Sequence, residues 1–276
     1  MPNKKSCKRT RLDRKFDKLL AAEEAGKLGH SKLSRSLRKM LENRMAVIGF
    51  IIFLIIVFMC MFAPLFTPYK PQATDLRSMT QPPSLQHLFG TDKLGCDVFT
   101  RVLYGGRKSI LIGLGSALGA AVIGVLLGCY GGYKGGAFDK IVLRLSEIFM
   151  SFPQLILVMM LGTIFGRGLS NLIFIFVLTG WGGVYRQVRA KMLSLREEEY
   201  VQAMRAFGIN DLIIAYKHML PNAIGPVVVN LTLSTAMFIL DEAAMSFLGL
   251  GVPPEIATWG NILNAAQELY VMQNYW

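Results

Sequence analysis

Charge is what this chain has least of. Only 17% of its 276 residues are Asp, Glu, Lys or Arg, against roughly 25% in soluble domains. Long stretches have none. Between Arg44 and Lys70 lie 25 uncharged residues, and between Lys108 and Lys134 another 25. Shorter charge-free runs cover 148–166 (19 residues), 168–185 (18) and 219–240 (22). A soluble fold is excluded, because a chain this short could hardly bury five helices that are apolar on every side. A helix needs about 20 apolar residues to cross the hydrocarbon core. The pattern predicts an all-α polytopic membrane bundle with five crossings, at about 45–66, 109–130, 141–165, 169–187 and 223–242.

Cysteine and histidine are equally scarce. Of Cys7, Cys60, Cys96 and Cys129, only Cys96 is expected outside, which excludes a disulfide framework. His30, His87 and His218 are far apart and expected on different sides, as surface or interface residues; no metal site is expected. "GGYKGGAFDK" is glycine-rich but lacks the GxxxxGK[ST] of a phosphate loop and a preceding strand, so it reads as a flexible cytoplasmic turn. No Ser/His/Asp, HExxH or paired-carboxylate grouping marks an enzyme: Asp241 and Glu242 are adjacent and point to different helix faces. Mid-helix charges and inverted repeats, the marks of a secondary transporter, are also missing. The start is no signal peptide, since the apolar run begins only near Met45 without a small-residue cleavage site after it.

What charge there is sits to one side. The net charge is +12, and 14 of the 30 basic residues fall in 1–44. The positive-inside rule places that arm in the cytoplasm. With it there, 23 of the 30 basic residues are inside and seven outside. The arm therefore reads as an orientation signal touching anionic membrane lipid rather than a nucleic-acid arm. Leu12, Phe16, Leu19 and Leu20 give it an amphipathic helical spacing. Segments 67–108 and 246–276 are expected outside. Arg144 and Glu147, three apart near the inner end of the third crossing, are expected to pair or anchor at the interface. In the second crossing, Gly115/Gly119 and Gly124/Gly128 form two GxxxG pairs, which let helix backbones approach closely in lipid.

One polar insert interrupts this pattern: "EEEYVQAMRAFGINDLIIAYKHMLPN", 197–222, within an expected cytoplasmic loop 191–222. A short helix is predicted from Glu198 to Phe207, ended by Gly208 as a left-handed C′ residue with Ile209 against Met204. Asn210 is expected to cap a second helix, with Asp211 in its first turn. That helix is expected to stop or bend at Pro221. The result is a rigid knob offering Tyr200, Val201, Met204 and Phe207, suited to docking in a groove on another protein.

These residues resemble a known family. "EYVQAMRAFG", nine residues, then "HMLPN" is similar to the cytoplasmic EAA-x3-G-x9-I-x-L-P loop of ABC-importer permeases. Gln202-Ala203-Met204 stand for Glu-Ala-Ala, Gly208 matches the glycine, His218 falls at the isoleucine, and Leu220 and Pro221 close the motif. "FGTDKLGCDVFTRVLYGGRKSI", "NRMAVIGF…FAPLFTPYKP" and "DEAAMSFLGLGVPPEIATWG" resemble the peptide-permease branch, with Cys96 where arginine is usual. The resemblance covers most of 43–260 and identifies the chain as a C-type subunit of the dipeptide/oligopeptide (peptide/nickel) importers, with the type I ABC-importer permease fold. That family usually has six crossings, and a sixth is expected to follow the final "QNYW". The resemblance implies a homologous second permease subunit, two ATPases that bind the ATP, and an extracytoplasmic solute-binding protein. This chain then needs no cofactor of its own and is no enzyme. The implied substrate is a di- or oligopeptide, with nickel or a nickel chelate as the alternative. The implied ATPase-coupling residues are Glu199, Tyr200, Val201, Gln202, Ala203, Met204, Arg205, Phe207, Gly208 and Pro221. Gly90, Thr91, Asp92, Gly95, Asp97, Ser246, Phe247, Gly249, Gly251, Trp259 and Gly260 are implied to face the binding protein or outer gate.

Overall fold

The computed structural model describes residues 43–267. The amphipathic pattern of the basic arm lies outside them. The chain divides into two units, Met1–Ile56 and Val57–Trp276. Helix α1 (Arg44–Met61) begins in the first. Asn43 Oδ1 accepts from the amides of Met45 (3.1 Å) and Ala46 (3.3 Å), satisfying two free donors of its first turn. Phe50, Ile51, Ile52 and Phe53 are all exposed. Apolar residues at consecutive positions suit a helix in lipid.

The second unit is built on α3 (Val98–Lys134), reached through the short helix α2 (Ala63–Phe66) and a loop. At 37 residues, α3 is about 55 Å long, so the expected amphipathic lead-in and second crossing are one helix. The remaining helices are α4 (Gly136–Met150), α5 (Gln154–Phe165), α6 (Leu169–Arg196), α7 (Glu199–Ala206), α8 (Asp211–Ile213), α9 (Leu220–Phe247) and α10 (Trp259–Ala265). A π-helical turn, Ile214–Met219, links α8 to α9.

The expected crossings fall on these helices with three corrections. The first breaks at Phe62, ahead of Pro64 in α2. The third is not one helix: α4 and α5 meet at 92°. Pro153 has no amide hydrogen and disfavours helical backbone at Phe152, so the helix ends before it and restarts after it. The glycine-rich turn shrinks to Gly135 and Gly136, both at positive φ, since Gly131–Lys134 complete α3. Among the described residues, three helices are by length and composition apolar enough to cross a membrane, or four if α4 and α5 form one span. The 28-residue α6, which holds the fourth expected crossing, is not among them, so the count of five is approximate.

α3 packs most closely on α6, and glycine explains how. A Cβ on Gly124 would stand 2.8 Å from Trp181 O, and one on Gly128 2.7 Å from Tyr185 O. The backbones thus touch where the sequence placed its second small-residue pair. Cys129, Tyr133, Val184, Val188 and Met192 form a core near the Lys134 end, continued by Val201, Ile214, Met219 and Ala223. Ile112, Ala117, Phe176, Phe238 and Met245 form a second toward the Val98 end.

Candidate functional site

The polar insert is the first candidate. Gly208 has φ +72°, and its amide donates to Arg205 O (2.9 Å) while that of Ile209 donates to Met204 O (3.2 Å). These are the two bonds of the Schellman ending. Asn210 Oδ1 accepts from the Leu212 amide (2.9 Å), capping α8 as expected.

Two expectations fail here. Val201 is fully buried and Met204 partly buried against the core of α3, α6 and α9, so they anchor α7 instead of being offered by it. The exposed face carries Glu199, Tyr200, Gln202, Ala203, Arg205 and Phe207, with Phe207 85% exposed. Pro221 does not stop the chain: helix continues from Asp211 to Phe247. The Leu220 amide reaches back five residues to Ala215 O. This widened turn leaves Pro221 in the first turn of α9, where its missing donor costs nothing.

Polar side chains fasten this insert to α3. Tyr133 is almost fully buried; its hydroxyl donates to Asp211 Oδ1 (2.7 Å) and accepts from Arg205 Nε (3.1 Å). The Arg205 guanidinium also lies 4.7 Å from the Tyr133 ring centroid. Nearby, Asp139 at the start of α4 takes a bidentate pair from Arg189 on α6 (2.6 and 2.5 Å) and a bond from the Tyr185 hydroxyl (2.9 Å). Arg144 and Glu147 pair at 2.8 Å, both well exposed.

At the far end of α3, the expected gate residues turn mostly inward. Asp97 caps α3 by accepting from the Thr100 amide (2.7 Å) and hydroxyl (2.6 Å), and it meets His87 Nδ1 at 2.9 Å. His87 is therefore buried, not a surface residue. Asp92 accepts from the amides of Leu94 and Cys96 and pairs with Arg101 (2.5 Å). Thr91 donates its hydroxyl to Ser78 O. Gly90 and Gly95 sit buried at positive φ, and a Cβ on Gly95 would overlap Asp75 O. These residues build the loop from within; Leu88, Phe89 and Leu94 are among its exposed side chains. Burial pushes the Cys96 thiol up, aided by the Asp92 carboxylate.

Ser246, Gly251, Trp259 and Gly260 converge around Glu242, which is fully buried. Its carboxyl oxygens take the hydroxyls of Ser109 (2.9 Å) and Ser246 (2.9 Å). Ser109 Oγ accepts from the Trp259 amide (3.1 Å), and the indole donates to Val102 O (3.0 Å). A Cβ on Gly260 would meet Ala243 Cα at 2.8 Å, and one on Gly251 the Ser246 amide at 2.6 Å. Gly249, at φ +74°, closes α9 in the same Schellman geometry as Gly208. Phe247 is exposed, and its carbonyl accepts from Asn264 Nδ2 (2.6 Å). Sequence reasoning missed Tyr133, Asp139, Arg189, Ser109 and Glu242. The available signal was a carboxylate or hydroxyl within or beside a charge-free run, where polar groups must find partners.

A multi-span helical membrane protein with a capped, anchored polar insert and a separate polar cluster toward the far end of α3 is a permease-type architecture. Comparison with known proteins gives the family. Residues 120–273 match the family described as binding-protein-dependent transport system inner membrane component. Residues 31–83 match the N-terminal TM domain of oligopeptide transport permease C. The chain belongs to this permease family. It is 38% identical over 241 residues to the oligopeptide transport system permease protein OppC of Bacillus subtilis (strain 168), covering 87% of this chain and 79% of that one. It is 37% identical over 239 residues to the dipeptide transport system permease protein DppC of the same organism, covering 87% and 75%. A protein of Brucella suis biovar 1 (strain 1330), provisionally named a peptide permease, is 40% identical over 243 residues, covering 88% and 80%.

Proposed function

We propose that this chain is the C-type permease subunit of an ATP-driven importer that moves di- and oligopeptides across the cell membrane by alternating access. It pairs with a homologous second permease subunit. Two partner ATPases bind and hydrolyse the ATP, and an extracytoplasmic binding protein delivers the peptide. The N-terminus lies in the cytoplasm, which the one-sided placement of basic residues supports. The peptide reading rests on relatives named for peptide transport, which do not favour nickel.

The observation that carries the coupling role is α7 itself. Both bonds of its C-terminal cap are made, its inner face is packed into the core, and Phe207 stands out on its outer side. A rigid helix so held passes a push from a docked ATPase to the bundle; a loose loop would absorb it. Shifting a two-state gate from 1:99 to 99:1 takes about 5.5 kcal/mol of differential binding, which favours a stiff contact. The test is Phe207→Glu in the assembled transporter. Membrane insertion should be unchanged, and labelled dipeptide uptake should fall at least tenfold with binding-protein-stimulated ATP hydrolysis. Normal uptake would remove the coupling role. Uptake of nickel in place of dipeptide would overturn the substrate.

A further inference from the structure

Two polar clusters lie at opposite ends of one helix. Tyr133, in the last turn of α3, joins Arg205 of α7 to Asp211 of α8 through a single hydroxyl. Ser109, on the same helix, joins Glu242 of α9 to the Trp259 amide at the start of α10. The 24 positions between them correspond to about 36 Å of unbroken helix.

The last turn of α3 is also keyed to α6. A Cβ on Gly132 would be 2.8 Å from Arg189 O, and one on Gly131 3.0 Å from Asp139 Oδ1. That turn cannot shift without carrying α6 and the Asp139–Arg189 pair with it. The insert, by contrast, reaches α3 through few polar groups. α7 has no side-chain N-cap, and besides apolar packing, its polar link to the last turn of α3 is Arg205 on Tyr133.

We propose that Tyr133 is a positioning residue for transport: its hydroxyl is the joint through which displacement of α7 is passed to α3, and α3 carries it as a rod to the Ser109–Glu242–Trp259 cluster. This rests on α7 being the ATPase-docking helix. The warrant is physical continuity. A buried hydroxyl holding a cationic and an anionic partner from two elements fixes their spacing, and a continuous helix transmits a rotation or shift of its end.

The test uses the complete reconstituted transporter with its ATPases, second permease and binding protein. Tyr133→Phe keeps the ring, its burial and the guanidinium stacking, and removes only the hydroxyl. Dipeptide taken up per ATP hydrolysed should fall about tenfold, within the usual range of coupling between sites, at an unchanged melting temperature. A photo-crosslinking residue at position 207 reports ATPase docking and should respond as in the parent. Retained cross-linking with normal uptake per ATP overturns the Tyr133 assignment. No cross-link even in the parent overturns the docking reading and this assignment with it. Asp211 is exposed, so its variants guard against a folding artefact: Asp211→Ala should uncouple as Tyr133→Phe does, and Asp211→Asn, which keeps an acceptor oxygen, should restore coupling. Asp211→Ala with normal coupling would also overturn the assignment.

Discussion

The backbone approach at Gly128 offers a sharp test of how α3 and α6 are held together. In Gly128→Ala the added methyl would lie 2.7 Å from Tyr185 O, 2.9 Å from Val188 Cβ and 3.2 Å from Arg189 N. Non-bonded carbon contacts settle near 3.5–4.0 Å, and helix backbone cannot swing aside as a side chain can. α6 must therefore move off α3 by several tenths of an ångström along the seam. Overpacking of this kind costs about 1–3 kcal/mol. Alanine's better helix propensity returns about 1 kcal/mol, leaving a net loss of about 0–2 kcal/mol. Gly115→Ala supplies the control. It gains the same propensity, and the nearest atom to its new methyl is Ile173 Cδ1 at 3.8 Å, so it should be neutral or stabilising. The two variants should then differ by about 2 kcal/mol in reversible unfolding from mixed micelles by increasing SDS. If Gly128→Ala is as stable as Gly115→Ala, or the more stable of the two, the backbone seam does not hold the pair as described.

Three further outcomes follow from other residues. Gly208→Ala meets open space, but the φ of +72° is strained for any L side chain, so the cap should weaken by about 1 kcal/mol. Hydrogen exchange at Ile209 should speed up several-fold, and unchanged exchange would count against the cap. Arg189→Met leaves the buried Asp139 carboxylate with the Tyr185 hydroxyl alone, a loss of about 3 kcal/mol on thermal unfolding; pairing it with Asp139→Asn should recover most of that, and a wild-type melt for the single variant would refute the pair's importance. The Cys96 thiol is held above its ordinary range by burial and then by Asp92. A raised pKa means less thiolate at neutral pH, so iodoacetamide should modify it more slowly than a free cysteine through pH 8, with the rate rising only at higher pH; free-thiol kinetics at pH 7 would contradict its burial.

Local chemistry was readable in the sequence, and partners far along the chain were not. Gly208 and Asn210 announced both ends of the break between α7 and α8, because a positive φ and an N-cap are decided within four residues. Gly124 and Gly128 announced a close seam without saying that α6 fills it. Val201 and Met204 show the limit. Their spacing defines a face of α7, but whether that face is offered or buried depends on Met192, Ile214 and Tyr133, contributed by other elements. Pro153 was visible, yet the charge-free run around it reads the same whether the helix is straight or folded through 92°, since hydropathy carries no dihedral information.

Glu242 makes the same point about function. Judged by its neighbour Asp241 it carries no chemistry; its meaning comes from Ser109, 133 positions earlier. In lipid the tails are as apolar as the helices, so burial alone scarcely selects which helix meets which. Backbone contact at glycine and hydroxyl–carboxyl pairs make that choice. Tyr133, Asp139 and Glu242 each bond to a group from a different element, so the pairings that fix the fold are also the contacts through which its ends can be linked.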